Sequence, residues 1–117
     1  MKTLGKHVIL ELYGIDNNTL DDIKKLEEAL KTAAVSCGAT IIKPVFHRFS
    51  PYGVSGILVV AESHFSIHTW PEYNYAAIDI FTCGSRVNPY IAVKTLINDL
   101  KPEKYTISSI DRGCIIQ

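Results

Sequence analysis

The order of hydrophobic periods along the chain constrains its fold most strongly. Alternation of apolar and polar residues is typical of strands, whereas apolar residues three and four apart are typical of amphipathic helices. Alternating stretches cover residues 7–15, 40–49, 54–62, 65–70, 75–82 and 105–110, and only two stretches have a helical period. The order βα, ββ, ββ, αβ predicts an antiparallel sheet with both helices on one face, which is an α+β fold.

Capping residues and proline mark the ends of the two predicted helices. The first follows the polar run 16–19, has Asp21 and Asp22 in its first turn, and stops at Gly38 after about five turns. The second opens at Asn88 and Pro89 and is closed by residue 102, another proline. Neither an internal repeat nor a linker interrupts this pattern, so we expect residues 1–117 to form a single domain.

Apolar side chains occur at both parities of the central strands. Val59, Ala61, Ile78, Ile80 and Phe81 place apolar groups on the two faces of the predicted sheet. If helices cover one face, another layer must cover the second. The sequence therefore predicts a two-layer α/β sandwich whose sheets stack across a homodimer, giving an αββα arrangement.

Charge and cysteine content exclude several classes of protein. Twelve Lys and Arg residues balance twelve Asp and Glu residues without any basic cluster, which argues against a nucleic-acid or anionic-membrane binder. No apolar run approaches the roughly 20 residues that a bilayer requires, and the amino-terminal apolar run is too short for a signal peptide. Three cysteines without CxxC spacing favour reduced thiols, and hence a cytoplasmic protein.

Residues 62–70 carry the densest set of reactive side chains. In an extended chain Glu62, His64, Ser66 and His68 project on one side. A metal site is disfavoured, because positions 64 and 68 of a strand lie about 13 Å apart. Nucleophilic catalysis by Ser63 or Cys83 would need a base such as His68, and a half-buried, hydrogen-bonded histidine without any chemistry is the competing interpretation.

A longer ordered set of residues resembles a known family, the small prokaryotic S-adenosylmethionine decarboxylase proenzymes. The resemblance runs in order over about forty residues, and the total length also agrees. It rests on Phe46-His47-Arg48-Phe49, Pro51-Tyr52-Gly53-Val54-Ser55-Gly56, Glu62-Ser63-His64, His68-Thr69-Trp70-Pro71-Glu72, Ala76-Ala77-Ile78-Asp79 and Phe81-Thr82-Cys83-Gly84.

The resemblance implies a self-processing, pyruvoyl-dependent enzyme. The cleaved bond would lie between Glu62 and Ser63, giving a beta chain of residues 1–62 and an alpha chain of residues 63–117. The Ser63 hydroxyl would attack the preceding carbonyl, and a base would then remove the serine α-proton and expel the carboxylate. The remaining dehydroalanine hydrolyses to a pyruvoyl group. By the family pattern His68 is the base, and Ser55 assists.

The same resemblance implies roles in turnover. The pyruvoyl group derived from Ser63 would form a Schiff base with the substrate amine and replace pyridoxal phosphate as the electron sink. Cys83 would be the proton donor, Phe49 would stack on adenine, and Glu72 would accept from the ribose hydroxyls. A metal is not implied. Cys37 and Cys114 are expected to be small apolar residues, on a helix and in the tail.

The implied assembly is a homodimer with two composite active sites. Ser63 and Cys83 would come from one protomer, and Ser55, His68, Phe49 and Glu72 from the other. The implied product is the aminopropyl donor for polyamine (spermidine) biosynthesis. Two alternatives stay open: a pyruvoyl-dependent arginine decarboxylase of the same family, and a non-catalytic regulatory partner of a decarboxylase.

Overall fold

A computed structural model describes residues 2–61 and 63–116 as one antiparallel sheet backed by helices. In that part of the chain, the strands are β1 (Lys2–Tyr13), β2 (Ile41–Arg48), β3 (Val54–Val60), β4 (Ser63–Trp70), β5 (Tyr75–Cys83) and β6 (Lys104–Ile115). The helices are α1 (Asn17–Leu20), α2 (Ile23–Ser36) and α3 (Pro89–Leu100), and Pro71–Tyr73 form a 3₁₀ turn. The predicted α+β class is confirmed.

The strands lie in the order β2-β3-β4-β5-β1-β6, and every neighbouring pair is antiparallel. Strands β2 to β5 form a meander, because each is joined to the next by a short connection. The first strand then inserts between β5 and the last strand. As a result, β1 pairs on one side with residues 75–83 and on the other with residues 104–115.

The single five-turn helix predicted to follow residues 16–19 is wrong, because the structure has two helices in this region, α1 over Asn17–Leu20 and α2 over Ile23–Ser36. Asp16 caps α1 by accepting from the amide of Asn18, and Asp22 caps α2 by accepting from the amide of Lys25. Asp21 lies between the two helices with φ −105° and ψ 2°, and its side chain is bonded to residues 48 and 53. Hydrogen bonds to residues distant in sequence thus hold Asp21 outside both helices. The predicted stop at Gly38 is confirmed by its φ of +93°.

The core lies between the sheet and the long helices α2 and α3. Val8, Leu10 and Leu12 of β1 are fully buried there, as are Phe65 and Ile67 of β4. On α2 the buried positions recur three and four residues apart, as the sequence predicts. None of the helices in residues 2–61 and 63–116 combines the length and the apolar character needed to span a membrane.

The sheet face turned away from the helices, which we call the outer face, is partly apolar. It carries His7, Ile9, Glu11, Tyr13, Val45, His47, Ser55, Ile57, Val59, His64, Ser66, His68, Trp70, Tyr75, Asp79 and Phe81. Val45, Ile57, Val59 and Trp70 are each more than a third exposed. Apolar groups therefore lie on both faces of the sheet, as their two parities predict.

The last strand is longer than the sequence predicts. Residues 105–110 were expected to form it, but the ladder with β1 continues to the pair Lys2↔Ile115. Cys114 therefore lies in β6 and is exposed, so its prediction as an apolar tail residue is wrong. Cys37 ends α2 and is buried, as expected of a small apolar residue.

Candidate active site

Ser63 is the first residue of β4 and lies beside the last residue of β5. The backbone amide of Cys83 donates a hydrogen bond to Ser63 Oγ over 3.1 Å. Both residues are partly buried, and both lie where their strand meets a connecting segment. A serine hydroxyl and a thiol-bearing residue of the same chain are thus adjacent. Glu62, the other residue of the expected cleavage site, lies outside the described residues.

Ser55 and His68 form a second contact on the outer face. The two residues are direct partners in the ladder between β3 and β4, and Ser55 Oγ lies 2.8 Å from His68 Nδ1. The exposed imidazole is therefore oriented by a neighbouring hydroxyl. Such a pair can pass a proton between an oxygen and a nitrogen, which is the chemistry expected of a processing base.

Phe49 and Glu72 lie with this pair around one cavity of about 240 Å³. Phe49 follows β2 and is 47% exposed, while Glu72 lies in the 3₁₀ turn after β4. The cavity is lined by Phe49, Tyr52, Gly53, Val54, Ser55, His68, Thr69, Trp70 and Glu72. An aromatic face, a carboxylate and an imidazole thus line one recess.

Two polar side chains, one partly exposed and one buried, shape this cavity. Asp21 accepts hydrogen bonds from Arg48 Nη2 over 2.6 Å and from the amide of Gly53 over 2.8 Å, and so ties the 49–53 segment to the end of α1. The hydrogen bonds from Arg48 and Gly53 hold the pKa of Asp21 below its usual value. Thr69 Oγ1 accepts from the amide of Val54 and donates to the carbonyl of Leu20, which fixes the start of β3.

Within one chain these residues form two separate clusters. Ser63 and His68 are five residues apart on β4, which is about 16 Å at the usual rise of a strand. The structure therefore brings Ser63 to Cys83, and Ser55 to His68, without joining the two pairs. Each cluster lacks the groups that the other one holds.

A third cluster on the outer face was not predicted. Asp79 Oδ2 lies 2.7 Å from His7 Nε2 and 3.3 Å from His64 Nε2, and its Oδ1 accepts a hydrogen bond from Ser66. Burial opposes the ionisation of Asp79, but the bonds from Ser66, His7 and His64 outweigh it and lower the pKa of the carboxyl group. The signals in the sequence are Asp79, an acidic residue inside an apolar strand, and the placement of His64 and Ser66 on one side of β4.

The three ligand-type atoms of His7, His64 and Asp79 lie within 4.8 Å of one another, a spacing that a metal ion could bridge. Arg112 Nη1, however, lies 3.2 Å from His7 Nδ1. A guanidinium can only donate, so Nδ1 accepts and the ring proton lies on Nε2, the atom that faces Asp79. That nitrogen has no lone pair for a metal, and the cluster is accordingly a hydrogen-bond chain. His64 and His68, about 13 Å apart along β4, cannot share an ion either.

Comparison with known proteins identifies the family. The family profile described as S-adenosylmethionine decarboxylase matches residues 6–113. The chain belongs to the S-adenosylmethionine decarboxylase family. A protein of Methanococcus maripaludis named S-adenosylmethionine decarboxylase proenzyme is 52% identical over 115 residues, which cover 98% of this chain and 94% of that protein. A protein of the same name from Thermosipho africanus is 50% identical and covers 97% and 87%.

A solved structure supports the same assignment to the S-adenosylmethionine decarboxylase family. The crystal structure of the adenosylmethionine decarboxylase from Aquifex aeolicus superimposes with a TM-score of 0.93 at 34% identity, covering 100% of this chain and 97% of that one. The resemblance identified from the sequence and the predicted α+β fold are therefore both confirmed.

Proposed function

We propose that this chain is a proenzyme that cuts itself at Glu62–Ser63 and then decarboxylates S-adenosylmethionine with a pyruvoyl group made from Ser63. The product is the aminopropyl donor for polyamine biosynthesis. Family membership supports the reaction class, since the relatives carry the name of this decarboxylase proenzyme. The observation that carries the proposal is the division of the candidate residues into two clusters, one around Ser63 and one around His68.

The Ser63 cluster fits the chemistry of self-cleavage. Ser63 Oγ attacks the carbonyl carbon of residue 62, and the C–N bond between residues 62 and 63 breaks as an ester forms. Removal of the Ser63 α-proton then expels residue 62 as a carboxylate that keeps this oxygen. Hydrolysis converts residue 63 to the ketone and releases its nitrogen as ammonia. The amide of Cys83, 3.1 Å from Oγ, orients the attacking oxygen.

The His68 cluster supplies what the Ser63 cluster lacks. We assign to His68 the removal of the Ser63 α-proton, with Ser55 holding the imidazole through the 2.8 Å contact at Nδ1. In turnover the pyruvoyl ketone supplies an electron-accepting group for the substrate amine. Cys83 returns a proton to the product carbon. Its position beside Ser63 fits this role.

The cavity beside His68 suits an adenosyl group. The exposed ring of Phe49 offers a face for adenine, and the Glu72 carboxylate can accept from both ribose hydroxyls. A sulfonium cation is attracted by the same aromatic and acidic groups. S-adenosylmethionine therefore fits these side chains better than arginine, which has neither an adenine ring nor a ribose.

A homodimer would join the two clusters. The outer face carries the exposed apolar residues Val45, Ile57 and Val59 next to His68, and stacking it on a second sheet would bury them. In the complete site, Ser63 and Cys83 of one protomer would meet the partner copy's cavity and imidazole. The same proposal places the enzyme in the cytoplasm, where its thiols stay reduced.

The fold suits a chain that is cut after residue 62. Residues 1–62 contribute β1, β2 and β3, and residues 63–117 contribute β4, β5 and β6. Because β3 pairs with β4, and β1 lies between β5 and β6, the two fragments alternate across the sheet. Their ladders would hold the cut protein together.

The test combines a mass measurement with an assay. Purified protein should give two fragments, 1–62 and 63–117, the second with a blocked amino end and a mass that fits a pyruvoyl group. It should release CO₂ from S-adenosylmethionine and not from arginine. One intact chain without activity would support a non-catalytic partner, and release from arginine alone would support the other decarboxylase.

A further inference from the structure

We propose that Asp79, acting through His64, is a positioning residue that holds the reactive end at residue 63 in place after the chain is cut. This inference rests on the proposed function, because it concerns the end that self-cleavage creates. It assigns a role to the hydrogen-bond chain on the outer face, which the processing and substrate residues leave unused.

Cleavage removes two polar groups of residue 63. In the uncut chain, residue 63 has a peptide N–H and a hydroxyl that accepts from the Cys83 amide over 3.1 Å. In the reaction above, the nitrogen leaves as ammonia and the hydroxyl oxygen leaves with residue 62. What remains is a short ketone joined to the chain only through the amide nitrogen of His64. The position of the ketone therefore depends on how firmly His64 is held.

Side-chain contacts hold His64 firmly. Its backbone lies between Val59 of β3 and Phe81 of β5 in the two ladders. Its ring packs edge-on against the ring of Phe81, with centroids 5.8 Å apart, and its Nε2 lies 3.3 Å from Asp79 Oδ2. An ionised carboxylate can only accept, so His64 Nε2 donates.

Asp79 is itself fixed by side chains of other strands on the same outer face. His7 of β1 donates to the same carboxylate oxygen, and Arg112 of β6 fixes the His7 tautomer through Nδ1. Ser66 donates to the second oxygen of Asp79. The chain Arg112–His7–Asp79–His64 thus crosses four adjacent strands and ends one residue away from the reactive position. Such support restricts a catalytic group to its productive geometry.

Two kinds of variant test this role. Asp79→Asn removes the charge that both imidazoles share, and His64→Met removes the donor at position 64. His64→Gln is the conservative partner, because the amide nitrogen of Gln reaches about as far as Nε2 and can still donate to Asp79. Asp111→Asn is the matched control, since Asp111 lies on β6 and its carboxylate is paired with Lys6 at 3.6 Å, with both side chains more than a third exposed.

The readouts are turnover per mole of pyruvoyl group and the rate at which phenylhydrazine captures the ketone. Phenylhydrazine forms a hydrazone with loss of water, and this reaction does not use the adenosyl cavity. We expect Asp79→Asn and His64→Met to lower kcat about tenfold or more, with KM within about twofold, because a misplaced ketone reacts poorly with the amine of the bound substrate. Capture by phenylhydrazine should become severalfold faster, while His64→Gln and Asp111→Asn stay close to wild type.

The outcomes separate this inference from the proposed function. If wild type is cut and active, but Asp79→Asn and His64→Met match it in kcat and capture rate, the positioning role is wrong while the proposed function stands. If Asp79→Asn does not fold, the comparison of His64→Met with His64→Gln decides by the same measurements. A wild-type chain that is never cut overturns both.

Discussion

Ser55 and His68 face each other across β3 and β4, with Ser55 Oγ 2.8 Å from His68 Nδ1. The α-proton that this imidazole is proposed to remove belongs to Ser63, about 16 Å away along β4. A base cannot act over that distance, because proton transfer needs hydrogen-bond contact or a single bridging water. The proposed site therefore needs two copies of the chain, one for each cluster.

This separation predicts complementation between two inactive variants. Ser63→Ala keeps an intact His68 cluster and should remain a folded, uncut chain, while His68→Ala keeps Ser63 and Cys83. Half of randomly paired dimers are mixed, and each mixed dimer has one complete site, so co-expression should restore about a quarter of wild-type activity. Mass spectrometry should find only the His68→Ala chain cut.

The control for this experiment is a pair of variants from the same cluster. Ser55→Ala and His68→Ala both damage the half that carries the imidazole, so each site in their mixed dimer contains one defective half. Co-expression of these two should give no more activity than the better single variant. Equal recovery in both pairs, or no recovery in the first, would contradict a composite site.

The cysteines should differ in reactivity according to their burial. Burial raises the pKa of the Cys37 thiol, so little of the reactive thiolate exists at pH 8, while Cys114 is exposed on β6. Iodoacetamide should therefore label Cys114 first and Cys37 only after unfolding. Peptide mass mapping over time measures this order, and urea provides the control in which all three react. Early labelling of Cys37 in folded protein would contradict the packing at the end of α2.

The proposed proton donor gives a separate test. Cys83→Ala removes the thiol but keeps the backbone amide that bonds Ser63 Oγ, so the chain should still be cut. Turnover should then be slow, because product protonation lacks its donor. Cys114→Ala is the matched control and should leave both cutting and turnover unchanged. If the Cys83→Ala enzyme kept the full kcat, the thiol of Cys83 would not be the proton donor.

The sequence predicts most of the fold because the spacing of apolar residues within a short stretch indicates which face of a strand or helix is buried. It places all six strands and the long helices, although it starts β1 five residues late and ends β6 five residues early. It misses the break at Asp21, because the partners that draw this carboxylate out of the helix, Arg48 and Gly53, lie 27 and 32 residues away. The last strand extends past its alternating part because backbone pairing with β1, rather than burial, holds it.

The candidate site divides in the same way. Ser63, His68 and Cys83 are visible as residue types, and the family resemblance already assigns them to two protomers, but the contacts that form each cluster appear only in the structure. The chain from Arg112 to His64 joins four strands that are distant in sequence, so no local pattern reveals it.

Asp21 predicts a dependence of stability on pH. Its pKa is lowered in the folded protein by the bonds from Arg48 and Gly53, so its contribution is present above the unfolded value of about 3.9 and is lost as the pH falls through the folded value. Asp21→Asn should lower the free energy of unfolding by about 1 kcal/mol at pH 6. Urea unfolding should show this difference shrinking towards about pH 2. A constant difference from pH 6 to pH 2 would contradict the ionic contact.

Substrate choice provides the last prediction, through Glu72 in the 3₁₀ turn. If its carboxylate accepts from the ribose hydroxyls, Glu72→Gln should raise KM for S-adenosylmethionine about tenfold, because hydrogen bonds to a charged group contribute about 1.5–3 kcal/mol. The effect on kcat should be smaller, since Glu72 does not touch the reacting carbon. Glu27→Gln, which removes a partly exposed carboxylate paired with Lys31 on α2, is the matched control. An unchanged KM in Glu72→Gln would mean that the adenosyl group binds elsewhere, and the cavity beside His68 would lose its assignment.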